Sequence, residues 1–208
     1  MNFMSDIREK SKLLHSAAEK TGFIKKLVDG LATVDGYAEY LFNLEAMYRA
    51  IENALDENIS NENIKSFVTK ELYRADLIKK DVEFILGNNT SSLTLLSSTE
   101  SCISRIENLS KNNPELVVAY AYTRFLADLF GGRTFNYLLS KKYNVPNEGL
   151  NYYQFPDISD FKTYVMKYHN MLGEINLSDE NKVDFINEVS NAYIYNIAVS
   201  NELDAKLQ

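Results

Sequence analysis

Helix breakers are scarce in this chain: 3 prolines and 8 glycines are spread over 208 residues. Proline removes a backbone donor and glycine loosens a helix by roughly 1 kcal/mol, so a chain with few of either can build long helices. The apolar residues agree. Tyr40, Leu41, Leu44, Met47, Tyr48, Ile51 and Leu55 recur at the spacing of one helix face. Nowhere is the polar–apolar alternation of a half-buried strand sustained. The chain reads as all-α, a multi-helix bundle, and its length suits one domain over residues 1–208.

Capping residues place the helices. Ser5 or Asp6 is expected to start a first helix running to about residue 29, with Gly30 just past its end. Asp35 is expected to cap a second over about 36–55, and a third spans about 64–86 and stops at Gly87. Others cover about 97–109, 114–142 and, capped by Ser159 and Ser178, 160–172 and 179–203. Residues 147–156 form a long connection that includes Tyr152, Tyr153, Phe155 and Pro156.

The net charge of −7 makes nucleic acid and anionic membrane surfaces poor partners, although local basic spots can hold small anions. The single cysteine, Cys102, excludes an intrachain disulfide and fits a reducing compartment. No apolar run is long enough to span a bilayer, and the charged start lacks a signal-peptide core. A cytoplasmic protein without a membrane anchor is expected.

Two elements carry candidate chemistry. His15 sits at the edge of the apolar arc Ile7–Leu14–Ala18. Arg8 and Lys12 precede it by two turns and one, and Glu19 follows four residues on, within reach of the imidazole. An axial heme histidine is supported in this way, with a carboxylate on its second nitrogen and cations for the heme carboxylates. Taken alone, this helix is more simply read as an ordinary amphipathic edge that happens to carry a histidine. The second element is Gly131-Gly132, inside a run that is otherwise helical. Arg124, Asp128, both glycines and Phe135 share a face, on which the backbone could approach something flat. Close helix–helix packing, with Arg124 and Asp128 as a simple i,i+4 pair, is the competing reading.

No P-loop, G-x-G-x-x-G or H-E-x-x-H occurs. Cys102 reads as buried and inert, and His169 as a surface or loop-side residue. Among the tyrosines, Tyr48, Tyr120 and Tyr122 are candidates to face a pocket.

The run Tyr122-Thr123-Arg124-Phe125-Leu126-Ala127-Asp128-Leu129-Phe130-Gly131-Gly132 resembles the distal-helix signature of heme oxygenases, Y-T-R-Y-L-G-D-L-S-G-G. Lys12, His15 and Ala17-Ala18-Glu19 are similar to that family's proximal helix, and Glu71-Leu72-Tyr73-Arg74 and Phe155-Pro156 also have counterparts. The resemblance covers nearly the whole chain. It implies heme held between a proximal helix and a kinked distal helix, as both cofactor and substrate. Heme would be cleaved to biliverdin, carbon monoxide and ferrous iron with O₂ and electrons from an external donor, a flavoprotein or ferredoxin-type reductase. By the resemblance His15 is the iron ligand, supported by Glu19. Gly131 and Gly132 line the distal face, Asp128 holds a distal water network, and Tyr48 and Arg124 support it. Arg8, Lys12, Tyr122 and Lys162 would meet the propionates. Three positions depart from the pattern: Tyr120 stands where many members have histidine, Phe130 where they have a small residue, and Met166 where they have a propionate-binding arginine. Phe130 is therefore expected to narrow the distal side, and the ring position attacked is left open. A heme carrier that does not degrade its ligand would share His15, the cations and the glycines.

Overall fold

A computed structural model describes residues 3–208. Eight α-helices are found among them: α1 (Phe3–Ala18), α2 (Gly22–Asp29), α3 (Val34–Glu57), α4 (Ala75–Leu86), α5 (Ser97–Asn112), α6 (Val117–Lys142), α7 (Phe161–Gly173) and α8 (Asp179–Lys206). The described residues contain no strand. Helix α8 packs against α1, α2, α5 and α6, while α3 lies against α4 and α5. One apolar core joins them, with Tyr37, Leu41, Tyr48 and Ile51 of α3 at its centre.

The expected first helix is two helices. Its break comes at Gly22, where φ is +58° and an added Cβ would stand 2.6 Å from the Ser200 backbone of α8. Only glycine tolerates both conditions. Ser200 also replaces bonds lost at the break: its hydroxyl accepts from Ile24 N–H and donates to the Thr21 carbonyl, each at 3.0 Å. The break places His15 in the last turn of α1. Neither Ser5 nor Asp6 caps this helix, because it starts ahead of both, at Phe3.

The expected helix over 64–86 is also shorter. Two 3-10 turns, Lys65–Phe67 and Lys70–Leu72, precede α4. The start of α4 is fixed from another helix, since Glu52 of α3 accepts from the N–H groups of Arg74 (2.6 Å) and Ala75 (3.0 Å). The buried Arg74 guanidinium donates to the carbonyls of Glu71 and Gln154, both at 2.6 Å, and lies over the Phe155 ring. It thereby ties the turn before α4 to the connection after α6. Caps shift by small steps elsewhere: Thr33 caps α3, Asp160 caps α7, and Ser178 caps α8 as expected. Helix α6 runs unbroken through Gly131 and Gly132.

Candidate functional site

A cavity of about 660 Å³ opens between α1, α2, α3, α6, α7, α8 and the turn at residues 152–153. That volume suits a sizeable organic ligand. His15 and Arg8 of α1 lie on its wall, with Glu19 just beyond the helix end. The His15 side chain is 53 % exposed, its Nδ1 is 3.8 Å from Glu19 Oε1, and its ring meets Tyr193 edge-on at 5.8 Å. The Glu19 distance exceeds a hydrogen bond, so the two groups are adjacent and not directly bonded.

Helix α6 contributes Tyr122, Arg124, Asp128, Gly131, Gly132 and Phe135 to the wall. A Cβ built on Gly131 meets nothing within 4 Å, and one on Gly132 only touches Tyr153 Cδ1 at 3.4 Å. No helix packs into this notch. The glycines bare the α6 backbone to the cavity, which removes the helix-packing explanation for them.

Behind the glycines lies a ring of polar groups. The buried Asp128 carboxylate accepts from the Tyr48 hydroxyl on Oδ2 and from the Tyr152 hydroxyl on Oδ1, the latter at 2.6 Å. Arg124 donates from Nε to the Tyr48 oxygen (3.2 Å) and from a terminal nitrogen to the Tyr152 oxygen (2.9 Å). Its other terminal nitrogen reaches Asn196 Oδ1 of α8 at 3.3 Å. Guanidinium and carboxylate are themselves 3.7 Å apart, so the two phenols bridge them. Burial pushes the Asp128 carboxyl above the usual carboxylate range, and Arg124, Tyr152 and Tyr48 hold it back. Burial also pushes the Tyr48 and Tyr152 phenols well above their ordinary values, so both remain donors.

Comparison with known proteins gives this wall its meaning. The sequence model of one family, described as Heme oxygenase, matches residues 1–202. The chain belongs to the heme oxygenase family. It is accordingly an enzyme, and its reaction is the oxidative degradation of heme. It is 31 % identical to a heme oxygenase of Guillardia theta over 205 residues, covering 98 % of this chain and 86 % of that one. Its fold matches heme oxygenase-1 of Synechocystis sp. PCC6803, solved in complex with heme, with a TM-score of 0.93 and 26 % identity over 100 % of this chain and 94 % of that one. Heme oxygenase from Leptospira interrogans matches with a TM-score of 0.90 and 28 % identity, over 97 % and 100 % of the two chains.

Of the residues singled out in sequence, His15, Arg8, Glu19, Tyr122, Arg124, Asp128, Gly131 and Gly132 meet on this one cavity. Tyr48 stands behind the wall, on Asp128. Lys12 and Lys162 are exposed and lie outside the wall, on α1 and α7. Phe130 is on the wall yet 68 % exposed, so it forms the rim. Met166 is 53 % exposed and away from the cavity. Tyr120 does not face the pocket: it is buried, and its hydroxyl donates to Glu188 at 2.8 Å. His169 is neither a surface nor a loop residue. It lies in α7, half-buried on the cavity wall, 6.1 Å from the Tyr122 ring, and burial and Arg8 lower its pKa. Cys102 is fully buried and its thiol is pushed up to about 12, which leaves no reactive nucleophile there. Sequence reasoning passed over Tyr152 and Asn196, which complete the ring around Arg124 and Asp128. Tyr152 carried a faint signal, as one of four aromatic or proline residues punctuating the connection after α6.

Among the described residues, no helix is long and apolar enough to cross a membrane.

Proposed function

We propose that this cavity takes heme between the α1 wall bearing His15 and the α6 wall bearing Gly131 and Gly132. The chain fits the group: a histidine on one wall, a backbone surface open to a flat face, and a cation, Arg8, near by. Heme supplies the iron that binds and reduces O₂ and the ring carbon that is oxidised, ending in biliverdin, carbon monoxide and ferrous iron. His15 would hold the iron through one ring nitrogen, with Glu19 beside it to take the other N–H. Arg8 and Tyr122, with Lys12 and Lys162 reaching in from outside, meet the two carboxylates. The bare backbone at Gly131 and Gly132 would lie against the opposite face and limit how a small ligand fits there. Asp128, an acceptor aimed at the same space, orders water there and so governs proton supply. Electrons come from an external flavoprotein or ferredoxin-type reductase, in the cytoplasm, and residues 1–208 act as one domain.

The observation that carries this reading is the buried carboxylate on the cavity that also holds His15. A carrier has use for the histidine, the cations and the glycines. It has none for a charge that is costly to bury. One equivalent of hemin is expected to give a histidine-ligated Soret band. A reductant added in air, with catalase present, should then abolish that band and give a red-region band that extracts as biliverdin. A Soret band that survives reductant and oxygen would replace oxidation by carriage.

The notch at Gly131 gives a second test. Because its Cβ would meet nothing, Gly131→Ala should stabilise the heme-free protein by about 1 kcal/mol, raising Tm by about 2–4 °C. The same methyl should weaken hemin binding by about tenfold, a loss near 1.4 kcal/mol. A lowered Tm would mean that the glycine serves packing instead.

A further inference from the structure

Asp128 could have met Arg124 directly, as a bidentate salt bridge using both carboxylate oxygens. The 3.7 Å separation shows that it does not. Two phenols stand between them, each accepting from the guanidinium and donating to one carboxylate oxygen. The two hydroxyls are also 3.1 Å apart. Their settings differ. Tyr48 is buried in the α3 core behind the site, whereas Tyr152 lies on the cavity wall.

The turn carrying Tyr152 is held independently. Asp81 of α4, fully buried, accepts from the backbone N–H groups of Asn151 and Tyr152 and from the Asn151 side chain, each at 2.8 Å. Arg74 pins the next turn through the Gln154 carbonyl. Tyr153 packs on Tyr152 at 4.5 Å and accepts from the Tyr37 hydroxyl at 3.3 Å. Together these contacts set where the Tyr152 hydroxyl stands.

We propose that Tyr152 is a positioning residue for heme oxidation: its hydroxyl, placed between the two groups, holds the Asp128 carboxyl apart from Arg124 and on the cavity wall. The proposal rests on the heme-oxidising reading of the site. It assigns the turn after α6 a part in the reaction and makes the Asp128 side of the cavity an acceptor surface. Water bound there turns its protons toward Asp128. The groups facing Asp128 are Arg124 on its own helix, Tyr40 and Tyr48 from α3, Tyr152 and Tyr153 from the turn, and Arg74 ahead of α4. The guanidinium cannot slide into the gap left by a missing Tyr152 hydroxyl, since Tyr48 and Asn196 tether its other nitrogens.

The test is a ¹³C-carboxyl NMR titration of Asp128 in the heme-free full chain. With Tyr152→Phe, Oδ1 loses its donor while burial persists, so the midpoint should rise by about 1 unit. The acid limb of heme turnover should move up with it. Difluorotyrosine at position 152 keeps the shape and strengthens the donor, so it should move the midpoint down. This substitution preserves the test if the phenylalanine variant folds poorly. A midpoint unmoved by either change, or a Tyr152→Phe midpoint that falls, overturns the proposal. Because the titration uses no heme, it stands apart from the hemin experiment: a parent protein that bound hemin without degrading it would fail that reading alone.

Discussion

Replacing His15 with alanine should leave a folded protein that has lost at least about 100-fold of its heme turnover. The fold should tolerate the change. The His15 side chain is half exposed, at the end of α1, and its ring contact is an edge-on meeting with Tyr193. Surface substitutions of this kind shift stability within about 0.5 kcal/mol. The loss therefore belongs to the iron bond. Added imidazole can enter the space left on the wall and supply the missing lone pair, so turnover should recover in part. The measurements are a thermal melt, the Soret position with and without imidazole, and the biliverdin rate. One outcome would redirect the assignment. His169 is the other histidine on the wall. If His15→Ala kept full turnover without imidazole and His169→Ala lost it, the axial role would pass to α7.

How far such a site can be read in sequence depends on how local its parts are. Arg124, Asp128, Gly131 and Gly132 lie within three turns of one helix, so their spacing alone puts them on one face. His15 and Glu19 are one turn apart, and the same holds. Tyr152 reaches Asp128 from 24 residues away, through a turn held by Asp81. No periodicity announces that contact. His169 looked unsupported because its neighbours, Arg8 and Tyr122, come from other helices. The helix boundaries divide in the same way. Ser178 caps α8 from its own sequence, whereas α4 takes its cap from Glu52, so the pattern before it read as helix. The break at Gly22 did leave a trace, a glycine following Thr21. Its cause, the Ser200 backbone at 2.6 Å, is tertiary.

The second large effect is at Asp128, and it separates binding from chemistry. Asp128→Ala leaves the buried Arg124 without its counter-charge and two phenols without an acceptor. Breaking a buried pair in this way costs about 3 kcal/mol or more, so lower stability is expected. Asp128→Asn is the milder probe, because it removes the charge while the amide keeps the shape and an oxygen for one tyrosine, at the expense of the other tyrosine's acceptor. In both variants His15, Arg8 and the glycine face are untouched, so hemin should bind with the parent Soret band. Biliverdin formation should fall on the order of 100-fold, the size of effect associated with losing a positioned proton-handling group. Peroxide added to the hemin complex should instead oxidise a phenol supplied in solution, as in a peroxidase, since nothing then orders water at the α6 face. The assay follows the biliverdin band and phenol oxidation together. Equal biliverdin rates in Asp128→Asn and parent would show that the charge has no part in the reaction. The buried ring of Arg124, Tyr48, Tyr152 and Asp128 would then serve only to hold α6 against α3 and the turn.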